Sequence, residues 1–151
     1  MAFNWYKREL DKGLEGAIAD STISNIDSFA VEGTVGVNPG QPVIRGTAEK
    51  TVKVPVDDAG AAKIIGVAVH THKEPSAPYY KQYDSVGIMT TGDIWVKTGA
   101  GVVEGDAAAV LGASGVYSFV KASTESAVAI AGGTYLDTAA AGELTRLRLR
   151  K

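Results

Sequence analysis

The side chains best suited to chemistry in this sequence are two histidines, His70 and His72. On a β-strand this spacing places both imidazoles on the same face, where they could begin a metal site. A catalytic zinc ion needs three protein ligands, however, and no carboxylate stands at a typical ligand spacing from the pair. We therefore expect no metal and no cofactor. A metal-dependent hydrolase with His70 and His72 as ligands is kept as an alternative interpretation.

The sequence offers little else for catalysis. It contains no Cys, which excludes thiolate nucleophiles, disulfides and cysteine-ligated zinc or iron–sulfur centres. No Gly-x-Ser-x-Gly elbow occurs, since residues 112–115 (GASG) miss its spacing. Residues 99–104 (GAGVVE) begin like a dinucleotide-binding fingerprint, but Glu104 stands where the third glycine belongs. We therefore expect no catalytic residues and no enzyme.

The acidic residues are predicted to serve turns. Asp57 and Asp58 are adjacent, so their side chains diverge and remain solvated. Asp84, Asp93 and Asp106 could gather at one end of a barrel as a cation site. Two Gly-Asp turns already explain Asp93 and Asp106, because an Asp side chain hydrogen-bonds the backbone of its own turn. The sequence therefore predicts no cation site.

Composition indicates one globular domain and excludes several classes of partner. The chain has 151 residues, of which 45% are hydrophobic and 21% are charged, so it can form one core. Fifteen Lys and Arg against seventeen Asp and Glu give a net charge of −2, without the basic field that binding a phosphate backbone requires. No apolar run approaches the roughly 20 residues of a membrane-spanning helix, and the amino terminus lacks the apolar stretch of a secretory signal. We expect no nucleic-acid partner and no membrane partner.

Short β-strands separated by turn residues dominate from Phe29 onward. The eighteen glycines alternate with β-branched and aromatic stretches, as expected of turns and bulges between strands. Residues 64–69 (IIGVAV) form a continuous apolar run of strand length, and residues 38–42 (NPGQP) have the chemistry of a type II turn. The pattern predicts an all-β fold over residues 31–151, a small β-barrel or β-sandwich of short antiparallel strands.

Several local features of this fold are predicted from the same pattern. Residues 51–56 alternate strictly, which places their three valines on one face of a half-buried strand. Residues 57–60 (DDAG) are predicted to close that strand as a turn. Hairpin turns are predicted at residues 91–93 (TGD) and 104–106 (EGD), where Gly can adopt a positive φ.

Residues 1–30 are predicted to form an extended N-terminal arm. Gly13 and Gly16 interrupt any helix there, and the stretch is too short for a stable isolated helix. The arm carries Phe3, Trp5 and Tyr6, large aromatic side chains of which Trp5 and Tyr6 are amphipathic and must bury against the parent domain or against a neighbour. These three residues are candidate partner contacts, and both destinations remain open.

A second candidate contact surface lies in the middle of the chain. The segment from residue 73 to residue 80 carries two prolines and a serine, which suits a projecting loop. Tyr79, Tyr80 and Tyr83 make this region unusually aromatic. We therefore expect these tyrosines to contact a partner.

The third candidate surface is the C-terminal strand, residues 144–151 (LTRLRLRK). Its leucines fall on one face and Arg146, Arg148 and Arg150 on the other, because side chains alternate along a strand. One interpretation is a sheet edge protected by charge against pairing with another sheet. The other is a basic surface that docks on an acidic partner.

Six segments together resemble the capsid cement proteins of tailed phages, also called decoration or head-stabilisation proteins. They are residues 16–20 (GAIAD), 37–46 (VNPGQPVIRG), 64–69 (IIGVAV), 83–86 (YDSV), 92–96 (GDIWV) and 146–149 (RLRL). The resemblance spans most of the chain and lies in turn and strand patterns. It implies a small β-barrel with an extended terminal arm, bound outside an icosahedral head where capsomers meet, often as trimers near three-fold axes.

The function that this resemblance implies is structural and non-enzymatic. It implies a protein of the virion exterior that forms a homotrimer and binds the major capsid protein. A shell that holds pressurised DNA gains stability from a clamp that binds only the assembled state. The alternative is a carbohydrate- or surface-binding barrel module of the virion, with Trp95 and the tyrosines of residues 79–83 as stacking platforms.

Overall fold

A computed structural model describes residues 13–71 and 79–150. Its regular elements in this part of the chain are β1 (Asn25–Val31), β2 (Pro42–Arg45), β3 (Thr51–Lys53), α1 (Asp58–Ala61), β4 (Gly66–Ala68), β5 (Ser85–Lys97), β6 (Ala107–Ala113), β7 (Val116–Lys121), β8 (Val128–Tyr135) and β9 (Leu144–Leu149). The predicted all-β class with a small barrel is confirmed. The described residues contain no helix of the length and hydrophobicity that crossing a bilayer requires.

Five strands close into a small barrel. They are hydrogen-bonded in the order β1-β3-β2-β4-β5, and β5 returns to pair with β1. The β1–β3 pairing is parallel and the other four are antiparallel. Closure leaves fewer unpaired strand edges at which another sheet could add. The barrel interior is one apolar cluster of Phe29, Val31, Val37, Val43, Val52, Ala68, Tyr80, Val86 and Ile88.

Strand β5 belongs to two sheets. Its first half pairs with β1 and β4, and its second half, from Gly92, pairs with β9. The register with β1 slips by one residue, because Asn25 pairs with Thr91 whereas Ile26 pairs with Met89. Gly92 has φ +129, in the region that favours glycine. The hairpin turn predicted at residues 91–93 is therefore wrong, since these residues lie inside a 13-residue strand, where Gly92 pairs with Leu149.

The second sheet continues from β5 in the order β5-β9-β8-β6-β7, and all of its pairings are antiparallel. Its last strand comes back beside the end of β5, where the Gly99 amide donates to the Phe119 carbonyl (2.8 Å). An apolar cluster that includes Ile94, Val110, Phe119, Tyr135 and Leu147 fills this second half. Ile44, Ile64 and Val67 of the barrel strands and their connections join the same cluster. The two halves thus pack on each other through a common core.

Turn chemistry decides three of the connections. At residues 38–41 the Gln41 amide donates to the Asn38 carbonyl (3.1 Å) and Gly40 has φ +82, which confirms the predicted type II turn. The turn predicted at residues 104–106 is also present, with Gly105 at φ +90. Ser114 and Gly115, both at positive φ, separate β6 from β7.

Two local predictions are corrected after β3. The strand ends at Lys53, so Val54 is half-buried and Val56 is exposed, and only Val52 lies in the barrel core. Pro55 cannot donate a backbone hydrogen bond to a continued strand. The segment predicted as a turn instead begins helix α1, whose N-cap Asp57 accepts a hydrogen bond from the Gly60 amide (2.6 Å).

The N-terminal boundary of the barrel is corrected as well. Strand β1 begins at Asn25, so residues 25–30 are barrel residues, whereas the predicted arm extends to residue 30. The first twelve residues, among them the candidate contacts Phe3, Trp5 and Tyr6, lie outside the described residues. Residues 13–24 are described and connect that N-terminal part to the barrel.

Candidate functional site

The segment that precedes the barrel is held along strand β5. The Gly16 amide donates to the Trp95 carbonyl (2.7 Å), and the Trp95 amide donates to the Ala17 carbonyl (2.9 Å). The Ala19 amide donates to the Asp93 carbonyl (2.9 Å). These backbone bonds form a short antiparallel ladder, which fixes residues 16–19 along β5.

The Trp95 ring packs against Gly13, where the described chain begins. A Cβ built on Gly13 would overlap the Trp95 ring, so only glycine allows the chain to pass this close to the indole. The Trp95 side chain is half-buried as a result. The stacking platform that the carbohydrate alternative assigns to Trp95 is therefore occupied on that side by the protein's own backbone.

The three candidate tyrosines have different surroundings. Tyr80 is 1% exposed, and its hydroxyl donates to the Val69 carbonyl (2.7 Å) inside the barrel. This corrects the prediction of Tyr80 as a surface contact, since its side chain belongs to the core. Tyr83 is 82% exposed at φ +71, and Tyr79 is 38% exposed. Tyr79 and Tyr83 remain available to a partner.

The arginines of β9 are ion-paired within the protein. Arg148 makes a two-pronged contact with Asp93, its cross-strand neighbour, with both N–O distances 2.8 Å. Arg146 donates two hydrogen bonds to the Asp137 carboxylate in the same way, with N–O distances of 2.8 and 2.7 Å. These bonds to carboxylates raise the pKa of both arginines. Arg150 is exposed at the end of the strand.

The position of β9 also corrects the interpretation of its charge. The strand lies between β5 and β8, so it is not a sheet edge that charged residues protect. Asp93 was predicted to cap a turn, but it is 1% exposed and lies within β5 opposite Arg148. Burial of a carboxylate is costly unless it is paired, which explains why Arg148 lies across from it. Alternating Arg residues in a sequence can therefore indicate internal ion pairs as well as a basic surface.

The residues considered for metal chemistry are dispersed. His70 follows β4 and is exposed, and His72 lies outside the described residues. Asp57 caps α1 and Asp106 accepts a hydrogen bond from the Val103 amide (2.9 Å), which are structural roles. Within residues 13–71 and 79–150, no group of three His, Asp or Glu side chains is placed to hold a metal ion.

A groove runs along the seam between the barrel and the second sheet, and we call it the seam groove. It consists of three adjoining sections that all include Gln41, and the two larger ones enclose about 390 Å³ each. Its principal lining residues are Leu14, Glu15, Asn38, Gln41, Val116 and Tyr117. Because they come from three distant parts of the chain, no local sequence pattern could predict the groove.

Charge and polarity in the seam groove are unevenly distributed. Burial raises the pKa of Glu15, and the nearby Lys97 ammonium partly opposes that rise. At the far side the Tyr117 hydroxyl donates to Asp58 (2.8 Å), which joins β7 to α1 across the seam. Burial and this bond raise the pKa of Tyr117 to about 12. Val116 beside it is 62% exposed, an apolar side chain open to solvent.

A family model matches nearly the whole chain. Its description is "Structural cement protein (E217 gp24/Pam3 gp6)", and it matches residues 2–150. A comparison with curated proteins found no match.

Two solved structures are similar to this fold. One is a chain from the capsid of Myoviridae phage XM1, with a TM-score of 0.75 and 18% identity, covering 100% of this chain and 99% of that chain. The other is the head fibre gp8.5 N base of bacteriophage phi29, with a TM-score of 0.51 and 13% identity, covering 85% of this chain and 95% of that one. At such identities the likeness shows a common fold.

Proposed function

This chain belongs to the family of phage structural cement proteins, and from that membership we propose that it binds the outer surface of an icosahedral phage head at the junctions between capsomers. Its role is structural, as in that family, and it stabilises the capsid. The proposed partner is the major capsid protein, the proposed assembly is a homotrimer, and the proposed location is the virion exterior. In this proposal the protein acts by binding alone, without catalysis and without a nucleic-acid or membrane partner.

The observation that carries the proposal is the family match over residues 2–150. The physical properties of the fold support it. A closed barrel that shares a strand and a core with a second sheet resists deformation, because packed interiors are dense and poorly compressible. A rigid body that binds only the assembled shell shifts the assembly equilibrium towards the shell by mass action.

The proposed aromatic contact residues lie at two places. The first is the N-terminal segment with Phe3, Trp5 and Tyr6, whose aromatic side chains suit a protein interface. The second comprises Tyr79 and Tyr83, which are exposed beside the described end of the 73–80 segment. Aromatic residues of this kind commonly carry the largest share of binding energy at an interface.

The arginines take different parts in the proposal. Arg150 is exposed and is proposed to contact the capsid. Arg146 and Arg148 are held in ion pairs with Asp137 and Asp93, so we propose that they support the shape of the sheet that faces the partner.

The experiment is co-sedimentation of the purified protein with expanded phage shells that lack it. We expect saturable pelleting of the full chain and a loss of affinity of about tenfold or more for Tyr83→Ser, as for an interface hot spot. Val103→Ser is the matched control, because Val103 is also exposed and lies on another turn. Absence of pelleting of the full chain at any concentration would overturn the capsid partner, and equal losses for both variants would overturn the assignment of Tyr83.

Assembly is tested separately by size-exclusion chromatography with light scattering. The proposal predicts the mass of three chains in solution or a mass increase on the shell in multiples of three. A monomer that also binds shells singly would refute the homotrimer and leave the capsid partner in place.

A further inference from the structure

The seam groove begins where the described chain begins. Leu14 and Glu15 form part of its wall, and the ladder of Gly16 and Ala17 on Trp95 fixes the next residues. The His70 amide donates to the Gly16 carbonyl (2.7 Å), which anchors the same segment from the barrel side. Residues 1–12 therefore join the described chain at Gly13, one residue before the groove wall begins at Leu14.

Residues 1–12 are long enough to follow the groove. An extended chain of this length reaches about 40 Å, more than the width of a domain of this size. Linking a segment to its own site also raises its effective concentration there, so weak contacts suffice to hold it. A docking site at the root of the segment is therefore favoured over a more distant one.

The composition of the segment fits the groove. Phe3, Trp5, Tyr6 and Leu10 supply large apolar side chains, and Val116 and the Tyr117 ring offer apolar surface within the groove. The basic residues of the segment, Lys7, Arg8 and Lys12, outnumber its two acidic ones, Glu9 and Asp11. Among the lining residues Glu15 is the carboxylate and Lys97 the ammonium, and the Tyr117 hydroxyl that lines the groove donates to the Asp58 carboxylate (2.8 Å).

We propose that the seam groove is the docking site of this chain's own residues 1–12 in the free protein, with aromatic side chains of that segment buried against Val116 and Tyr117. The segment is then stored on the body before the protein meets a shell. This inference goes beyond the capsid-binding proposal, because it concerns the protein alone. Shells are absent from its test, so the two proposals succeed or fail separately.

The test uses the two tryptophans of the chain, Trp5 and Trp95. In the variant Trp95→Phe the indole of Trp5 is the only one left, and its fluorescence reports on the segment. If the groove buries most of that side chain, acrylamide quenching in the folded protein is about threefold weaker than in the urea-unfolded chain. Equal quenching in the two states would overturn the proposal.

A matched pair of substitutions locates the dock. In the same background Val116→Lys places in the groove a charge of the same sign as the net charge of the segment, whereas Val103→Lys places one outside it at a comparable exposure, 62% against 56%. We expect Val116→Lys to restore strong quenching and Val103→Lys to leave the protection unchanged. Equal effects of both substitutions would refute the groove as the site.

Dilution distinguishes the chain's own segment from that of a second copy. Docking within one chain is independent of concentration, so we expect the protection of Trp5 to persist when the protein is diluted. Protection that disappears on dilution, together with a fall in measured mass, would assign the groove to the segment of a second copy and overturn docking on the chain's own body.

Hydrogen exchange tests the dock with Trp95 in place. We expect Trp5→Ser combined with Tyr6→Ser to speed exchange in residues 116–119, because the segment no longer covers them, and to leave residues 102–106 unaffected. No change at residues 116–119 would contradict the proposal.

Discussion

The closed barrel and the second sheet share strand β5, but different interactions hold them together. Each buries a tyrosine whose hydroxyl donates to a backbone carbonyl, Tyr80 to Val69 and Tyr135 to Val120, both at 2.7 Å. The barrel adds closure of its five-stranded ring. The second sheet adds two ion pairs made by the arginines of β9, Asp93–Arg148 and Asp137–Arg146.

The difference teaches where charge is tolerated in a small β-protein. Inside the barrel the cluster is apolar apart from the Tyr80 hydroxyl, and the Glu32 carboxylate that fixes a barrel hairpin lies outside that cluster. In the second sheet a carboxylate at 1% exposure lies within the shared strand and depends on one arginine. We therefore expect the barrel to respond most strongly to loss of volume and the second sheet to loss of an ionic partner as well.

The largest loss of stability is expected when a buried side chain of the shared strand β5 is shortened to alanine, in either half. Ile88 faces the barrel cluster and Ile94 the second cluster, and both are fully buried on β5. Ile88→Ala and Ile94→Ala should each lower the free energy of unfolding by about 3 kcal/mol, since each leaves a cavity. Urea unfolding followed by fluorescence and by circular dichroism checks this. Because β5 joins the halves, one transition is expected in both variants, and two separated transitions would show that the halves unfold independently.

The next largest loss of stability is expected from replacing an arginine of β9, and it should differ between the two arginines. Arg148→Ala leaves Asp93 buried without its partner, whereas Arg146→Ala leaves Asp137, whose side chain is 31% exposed and is reached by water. Loss of the partner of a buried charge is strongly destabilising, and loss of a partly exposed pair costs little. The fall in thermal midpoint should be at least twice as large for Arg148→Ala. Equal falls would show that the burial of Asp93 does not govern this sheet.

The smallest change in folding stability is expected from Glu32, and this change depends on pH. Hydrogen bonds from the hydroxyls of Thr51 and Thr47 and from the amides of Thr47 and Ala48 lower the pKa of Glu32 to about 2, from an ordinary value of 4.5. Because the folded-state pKa is the lower one, the stabilising contribution is fully present above pH 4.5. It is lost as the pH falls from 4.5 towards 2.

The measurement is the stability of the natural protein minus that of Glu32→Gln at several pH values. We expect a positive difference that is constant from pH 7 to pH 5 and narrows below pH 4.5. Glu104→Gln, on an exposed turn, serves as the control and should show no such narrowing. A difference that is independent of pH would mean that the hydrogen bonds of Glu32 do not require its charge.

Much of the fold could be predicted because it follows local rules. The leucines of β9 alternate with its arginines, and Leu147 and Leu149 are buried as that alternation predicts. The Asn38–Gln41 turn follows from Pro and Gly preferences alone. Where prediction failed, pairing between distant strands decided the outcome: Gly92 carries a turn signal but lies inside β5, because β1 and β9 extend that strand from both sides.

The candidate site was less predictable for the same reason. Tyr80 could not be separated from Tyr79 and Tyr83 by sequence, because its burial depends on the bridge between Tyr80 and Val37, forty-three positions earlier. The seam groove joins residues near positions 15, 41, 97 and 117, which no periodicity connects. The function was predicted from the resemblance to cement proteins, which compares segments from the whole chain at once.

The ladder between residues 16–19 and β5 has a mechanical consequence. Backbone bonds from Gly16, Ala17 and Ala19 run side by side along the strand, so a pull along the chain from residue 13 loads them together in shear. The load then passes through β5 into both halves at once, since each half is bonded to that strand. An anchor of this geometry yields at the summed strength of its bonds, whereas one peeled end-on yields bond by bond. In the proposed role at a capsid, strand β5 is the element that carries such a load from the residues before Gly16 into both halves.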